Sequence, residues 1–187
     1  MLVGYQGMEG SNSENAAKIL SKELNLSDIE LVPLISSECV VNELCLNNIN
    51  YGVMAIKNTI GGIVSETEIA VRDKNILNIG EVEIKIHHCL FKKIGVHNSD
   101  IKNIASHIQA LKQSKENIMK LYPNCSLIEV EDTSIAAKYL SEGSLSEDTA
   151  ILCKKDAGYM YNLDLIQENM EDNPNNYTTF GIYKLSK

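Results

Sequence analysis

Residues 4–17 read GYQGMEGSNSENAA, and the spacing of their glycines decides how the chain begins. Gly4, Gly7 and Gly10 follow a short apolar start, MLVGY, which reads as a strand. Beyond them Ala16, Ala17, Ile19, Leu20 and Leu24 fall on one helical face. Ser11 and Glu14 have the S-x-x-E spacing of a capping box, with Ser11 as cap and Glu14 reaching back. A glycine turn between a strand and a helix suits an anion, because backbone N–H groups and the positive helix end converge there. The spacing matches neither G-x-G-x-x-G nor G-x-x-x-x-G-K-[ST]. Counted from Gly4, the second pattern needs glycine where Glu9 stands, and Glu9 would repel phosphate. A nucleotide loop is therefore not expected. On spacing alone, a ligand-free turn remains an equal alternative to an anion site.

Helical and strand patterns alternate along the rest of the chain, which argues for an α/β fold. IELVPLI reads as a second strand and SSECVVNELCLNN as a helix capped by Ser36 or Ser37. YGVMAI reads as a buried strand, KNTIGG as a turn, and IGEVEIKIHHCLF as a strand with Val82, Ile84 and Ile86 on one side. A strand is expected near residues 101–105, then a helix with Leu111, Ile118, Met119 and Tyr122 on its apolar face. CSLIEVE reads as a strand with a solvated acidic end, and DTSIAAKYLSEG as a helix with an Asp or Thr cap and Gly143 as its stop. DTAILC is a strand, KDAGYMYNL a short helix and YTTFGIYKL a closing strand, with QENMEDNPNN a polar loop. About seven strands and five helices are too many for one plain sheet in 187 residues. Two small α/β lobes with a cleft are expected, running 1–75 with about 166–187, and about 76–165.

Composition excludes several classes. Lys and Arg number 17 against 25 Asp and Glu, a net charge of −8, so no basic face is available for nucleic acid. No apolar run approaches the ~20 residues of a membrane span, and no signal peptide is evident. Cysteines 39, 45, 89, 125 and 153 form no C-x-x-C pair and do not combine with His87, His88, His97 or His107 at metal-ligand spacing. Free thiols in a cytoplasmic protein without a metal fit this pattern. His88, before Cys89, reads as a satisfied core or hinge histidine, and His87 points the other way.

GYQGMEGSNSENAA resembles the N-terminal motif of prephenate dehydratases, Tyr-Gln-Gly-x-x-Gly-Ala/Ser-x-Ser-x-x-Ala-Ala. NYGVMAIKNTIGG is similar to that family's Asp-Tyr-Gly-Val-x-Pro-Ile-Glu-Asn-Ser-x-x-Gly, and GEVEIKIHHCL to its Gly-Glu-x-x-x-x-Ile-x-His-Cys-Leu. SHIQAL resembles Ser-His-Pro-Gln-Ala-Leu, TSIAA a family helix, and NYTTFGIY stands where the family has Asn-x-Thr-Arg-Phe. The order of these segments covers essentially the whole chain. The resemblance implies the two-lobed fold shared with periplasmic-type binding proteins. It also implies conversion of prephenate to phenylpyruvate, or of arogenate to phenylalanine, with loss of carbon dioxide and the ring hydroxide and no cofactor. By position it implies Thr178 as the catalytic hydroxyl, and Gly7, Ser11, Asn58, Thr59, Ser106, His107, Gln109 and Phe180 around the substrate. The ligand of the opening turn would then be a carboxylate. A homodimer is implied too. Only nine residues follow Thr178, so the regulatory ACT domain is expected to be absent.

The departures lie at the chemistry. Thr179 replaces the motif arginine, whose bidentate fork threonine cannot supply. Lys57 replaces the glutamate of Glu-Asn-Ser, and Ala55 and Ile108 replace prolines. Lys57 is expected to supply the charge lost at position 179, or else to be a solvated surface lysine. Two alternatives to a dehydratase follow from these changes: a non-aromatising prephenate decarboxylase, and a carboxylate- or amino-acid-binding module without catalysis.

Overall fold

A computed structural model gives the structure of the protein, describing residues 1–186. The chain forms two units, Met1–Ile86 with Tyr177–Lys187, and His87–Asn176. The crossings fall about ten residues beyond the expected boundaries near 75 and 166. The cause is β5 (Ile76–Lys85), which pairs along its whole length with the returning strand β11 (Tyr177–Leu185) and so stays with the first unit.

The first unit begins with β1 (Leu2–Tyr5), α1 (Asn12–Glu23), β2 (Glu30–Pro33), α2 (Ser37–Cys45) and β3 (Tyr51–Asn58). It adds the two-residue strand β4 (Gly62–Ile63) and α3 (Ser65–Val71), neither foreseen above. Its sheet runs β2-β1-β3-β11-β5, with β4 against the end of β3. Alternation along β3 sends Val53 to one face, with Ala16, Ala17 and Leu20 of α1, and Met54 to the other, with Val40, Val41 and Leu44 of α2. A Cβ on Gly4 would lie 2.6 Å from side-chain carbons of Leu34 and Ile49, so the first motif glycine is a packing requirement. Gly7 and Gly10 have φ of 92° and 83°, so those two shape the turn.

The second unit holds β6 (Cys89–Lys92), β7 (Asn103–Ser106), α4 (Ile108–Gln113), α5 (Lys115–Leu121), β8 (Ser126–Glu129), α6 (Thr133–Glu142), β9 (Thr149–Cys153), α7 (Lys155–Met160) and β10 (Asp164–Gln167). The sheet order is β10-β6-β9-β7-β8. β9 is buried at every residue, with Ile151 and Cys153 on the α6 and α7 side and Ala150 and Leu152 on the α4 and α5 side.

Three expectations need correction here. The helix after β7 breaks at Ser114 into α4 and α5, and Met119 is 57% exposed, not a core residue. The stretch read as one strand through Phe91 breaks at His87 and His88, where the chain changes sheets. Asp132, one of the two caps expected for α6, takes that place, accepting bonds from the Ser134 and Ile135 amides. In the loop read as polar, Met170, Glu171 and Asn176 are buried, and Asp172 accepts the Glu116 and Asn117 amides at 3.0 Å at the start of α5.

Candidate active site

In each unit the chain reverses its direction of travel across the sheet. β1 leads through α1 to β2 on one side, and β2 leads through α2 to β3 on the other. Likewise β7 leads to β8 and then to β9 on its opposite side. Open α/β sheets bind ligands outside the carboxyl ends of the strands at such reversals, because the loops diverge there. The carboxyl ends of β1 and β3 carry the Gly7 turn and Asn58. The carboxyl end of β7 carries Ser106 and His107.

Asn58 and Thr178 face each other across the β3–β11 ladder. Strict alternation from Val53 and Ala55 would put Lys57 on that face instead. The register shifts between Phe180↔Ala55 and Thr179↔Lys57, leaving Ile56 as an extra residue. This bulge re-aims the strand end and brings Asn58 onto the face of Thr178. Asn58 Oδ1 accepts the amides of Ile60 at 2.9 Å and Gly61 at 2.8 Å. Its Nδ2 therefore points the other way, donating to the Tyr177 carbonyl at 3.0 Å and to Thr178 Oγ1 at 2.9 Å. An amide NH2 only donates. Thr178 Oγ1 thus receives from Asn58, and the hydroxyl's own proton is directed elsewhere. Thr59 closes the same corner: its amide donates to the Tyr177 carbonyl and its hydroxyl accepts the Tyr177 amide, each at 2.9 Å.

Lys57 and Thr179 are cross-strand partners on the opposite face, with Glu83 of β5 beyond Thr179. Lys57 is exposed. Phe180 packs in the core beside Ala17 and Leu20.

At the first turn, Ser11 caps α1 by accepting the Glu14 amide at 3.2 Å. Glu14 Oε2 reaches back to the Gly10 amide at 2.7 Å, and its other oxygen pairs with Lys18. The Gly7 amide donates to the Ile35 carbonyl at 2.9 Å. Gln6 and Glu66, absent from the expectations above, sit beside this turn. Gln6 Nε2 donates to Glu66 at 3.0 Å, and Gln6 Oε1 accepts the Ala55 amide at 3.2 Å. Only the place of Gln6 inside the Tyr-Gln-Gly segment signalled it; Glu66 had no signal.

In the second unit Ser106 is fully buried and its hydroxyl donates to the Leu152 carbonyl at 2.7 Å, tying β7 to β9. His107 caps α4, its Nδ1 accepting the Gln109 amide at 3.3 Å. Gln109 is exposed on the first turn of α4. Burial raises the Asp132 carboxyl above its ordinary value, against the opposing pull of the Ser134 and Ile135 amides and His107.

His88 is buried in the second unit. Burial lowers its pKa, against a hydrogen bond to Gln113 Oε1 at 3.1 Å and the nearby Glu171 charge. The Glu171 carboxylate takes His87 Nδ1 at 2.7 Å and the His88 amide at 3.0 Å. Among the described residues no group of His, Cys, Asp and Glu is arranged to hold a metal ion.

The prephenate dehydratase family model matches residues 3–186. The chain belongs to the prephenate dehydratase family. It is 30% identical over 178 residues to arogenate dehydratase 5, chloroplastic, of Arabidopsis thaliana, covering 95% of this chain but 40% of that protein. Among solved structures, the prephenate dehydratase of Arthrobacter aurescens in complex with L-Phe superposes with a TM-score of 0.86 at 22% identity, over 99% of this chain and 60% of that one. A periplasmic substrate-binding protein of an ABC transporter from Coxiella burnetii shares the fold at a TM-score of 0.54 and 12% identity, over 100% and 84% of the two chains. The expected prephenate dehydratase-like α/β fold is thus the one observed. No helix among the described residues is long and apolar enough to cross a membrane.

Proposed function

We propose that this chain is the dehydratase part of a prephenate or arogenate dehydratase acting in phenylalanine formation. The observation that carries the reading is the Asn58–Thr178 pair, in which Asn58 Nδ2 fixes the hydroxyl as acceptor and leaves its proton to be donated. Prephenate needs that donor at its ring hydroxyl. The carboxylate C–C bond breaks and releases carbon dioxide, its electron pair becomes a ring π bond, and the ring C–O bond breaks with its pair on oxygen. With one proton from solvent, the products are phenylpyruvate, carbon dioxide and water. Thr178 stabilises the departing oxygen by hydrogen bonding, and aromatisation supplies the driving force.

The substrate is a small carboxylic acid, and the positive end of α1 favours a carboxylate there, the Gly7 and Gly10 amides being held by Ile35 and Glu14. Lys57, exposed on the face opposite Thr178, stands in for the motif arginine by register, as cross-strand neighbour of Thr179. Thr59 and Ser11 hold the backbone of the first unit's turns, and in the second unit Ser106 and His107 hold the end of β7 and the start of α4, where Gln109 is exposed. The protein acts in the cytoplasm as a homodimer, without metal or organic cofactor.

Purified protein incubated with prephenate and with arogenate tests this directly. Phenylpyruvate or phenylalanine is the expected product. A non-aromatic dihydro acid would replace the dehydratase with a decarboxylase, and ligand binding without turnover would leave a binding module. Thr178→Ala should depress kcat by about 10²–10³-fold. Lys57→Ala should abolish dicarboxylate binding in calorimetry, and unchanged affinity would remove Lys57 from the site.

A further inference from the structure

The first unit contains a second line of hydrogen bonds whose direction is fixed at both ends. Glu66, in the first turn of α3, accepts the amide of Ser37, the first residue of α2, at 2.7 Å. Its other oxygen accepts Gln6 Nε2 at 3.0 Å, and Gln6 Oε1 accepts the Ala55 amide at 3.2 Å. The Gln6 amide donates to the Val53 carbonyl at 2.9 Å. α3 is held in place by Thr67, whose hydroxyl bonds Ser37 Oγ at 2.8 Å, both residues being buried.

Two positions matter in this line. Gln6 immediately precedes Gly7 of the opening turn. Ala55 immediately precedes Ile56, the extra residue of the β3 bulge that swings Asn58 onto the face of Thr178. The Gln6 side chain therefore joins the glycine turn to the bulge. Ser37 N and Ala55 N can only donate, and an ionised carboxylate can only accept. Between them Gln6 has one workable orientation, with oxygen toward Ala55 and NH2 toward Glu66. The carboxylate at position 66 sets that orientation.

We propose that Glu66 is a positioning residue for the Asn58–Thr178 pair, acting through Gln6 on the β3 bulge. Its kinetic consequence rests on the dehydratase reading above; its structural consequence does not.

The donor and acceptor pattern yields a reciprocal test. In Glu66→Gln, the new amide can turn its oxygen to Ser37, but its NH2 then meets the NH2 of Gln6. If Gln6 rotates, its NH2 meets the Ala55 N–H instead. One mismatch always remains. Exchanging the two side chains in Gln6→Glu/Glu66→Gln removes it. The carboxylate at position 6 accepts from Ala55 N and from the amide at position 66, whose oxygen accepts from Ser37 N. Net charge and composition are unchanged.

The unaltered protein, Glu66→Gln and the double variant are compared in steady-state kinetics with prephenate and arogenate, and in amide NMR spectra. Glu66→Gln should lower kcat at least about tenfold with KM within about threefold, as expected when a reacting pair is misplaced rather than removed. The Ala55 backbone and Asn58 side-chain amide resonances should shift. The double variant should return both kcat and the resonances toward the unaltered protein. Unchanged kcat and resonances in Glu66→Gln, or a folded double variant no better than the single one, would overturn the proposal. Should the unaltered protein turn over neither acid, the dehydratase reading fails, and the two resonances alone decide the role of Glu66.

Discussion

Asn58→Asp changes one atom and should silence the site while leaving its fold in place. The acceptor half of the side chain is untouched, since Asp also offers an oxygen to the Ile60 and Gly61 amides. The other half reverses. An oxygen replaces the NH2 that donates to the Tyr177 carbonyl at 3.0 Å and to Thr178 Oγ1 at 2.9 Å. Thr178 then turns its proton to the carboxylate, because a carboxylate is the stronger acceptor. The proton proposed for the leaving oxygen is captured, and the Tyr177 carbonyl loses a donor. Loss of one preorganised donor to developing negative charge is worth about 2.7–4 kcal/mol, or about 10²–10³ in kcat. The stability cost is smaller, about 1–3 kcal/mol for the weakened corner. The assay is kcat against prephenate or arogenate from about pH 3 to about pH 8, values chosen to span the carboxyl range near about 4, with urea denaturation alongside. Activity should partly return as pH falls, since a protonated Asp regains a donor. A variant as active as the unaltered protein at neutral pH would refute the polarity argument. So would an inactive variant with a flat acid limb and a lost fold.

Three further outcomes follow from the same geometry. Glu14→Ala removes the acceptor of the Gly10 amide and should cost about 1 kcal/mol by denaturant unfolding, without shifting the second unit's transition. The lowered pKa of His88 means that the unfolded chain binds a proton more readily than the native one below its ordinary value of 6.5. Stability should therefore be full above about pH 6.5 and decline below it, with a slope approaching about 1.4 kcal/mol per pH unit, and His88→Gln should flatten that slope. Thiol labelling should find Cys39 and Cys45 at once, because both are exposed, whereas Cys89 and Cys153 should stay protected until unfolding, being buried with thiols held above their ordinary pKa by burial.

What could be read in the sequence is local. Ser11 and Glu14 announce a cap by their spacing and form one, with Glu14 taking the Gly10 amide. Gly143 ends α6 at a φ of 81°, and the apolar run of β9 marks a strand buried on both faces. Cap, stop and central strand each depend on neighbours within a few residues. The bulge at Ile56 does not, because it is a mismatch between β3 and a strand more than a hundred residues later. α3 has seven residues and gains its place from bonds between Glu66, Thr67, Gln6 and Ser37, so its apolar pattern is too short to declare it. The two sheets divide at His87 and His88, yet alternation looks the same whichever sheet a strand joins. Asp172 caps a helix 55 residues away from it in sequence, at the Asn117 amide. Thr178 was reached through a motif resemblance, but the reason it is an acceptor toward Asn58 lies in two turn amides that no motif names.

Both polar lines in the first unit start from backbone amides. The Ile60 and Gly61 amides hold Asn58 oxygen, Asn58 nitrogen holds the Thr178 oxygen, and the Thr178 proton is what remains. The Ser37 and Ala55 amides fix Gln6 from its two ends through Glu66. A backbone N–H cannot ionise or rotate, so the direction of the Thr178 hydroxyl does not depend on the titration of any side chain in its own line. Under the dehydratase reading, the pH dependence of kcat then comes from the substrate's carboxylates and from whatever holds them, not from the hydroxyl donor. With a net charge of −8 on the chain, that reading assigns the holding task to amide dipoles and to the proposed cation Lys57, exposed opposite Thr179. Raising ionic strength should accordingly raise KM, as the single ammonium is screened, while kcat stays level. A kcat that fell with salt at constant KM would place the charged group at the reacting bond and displace Thr178 from that role.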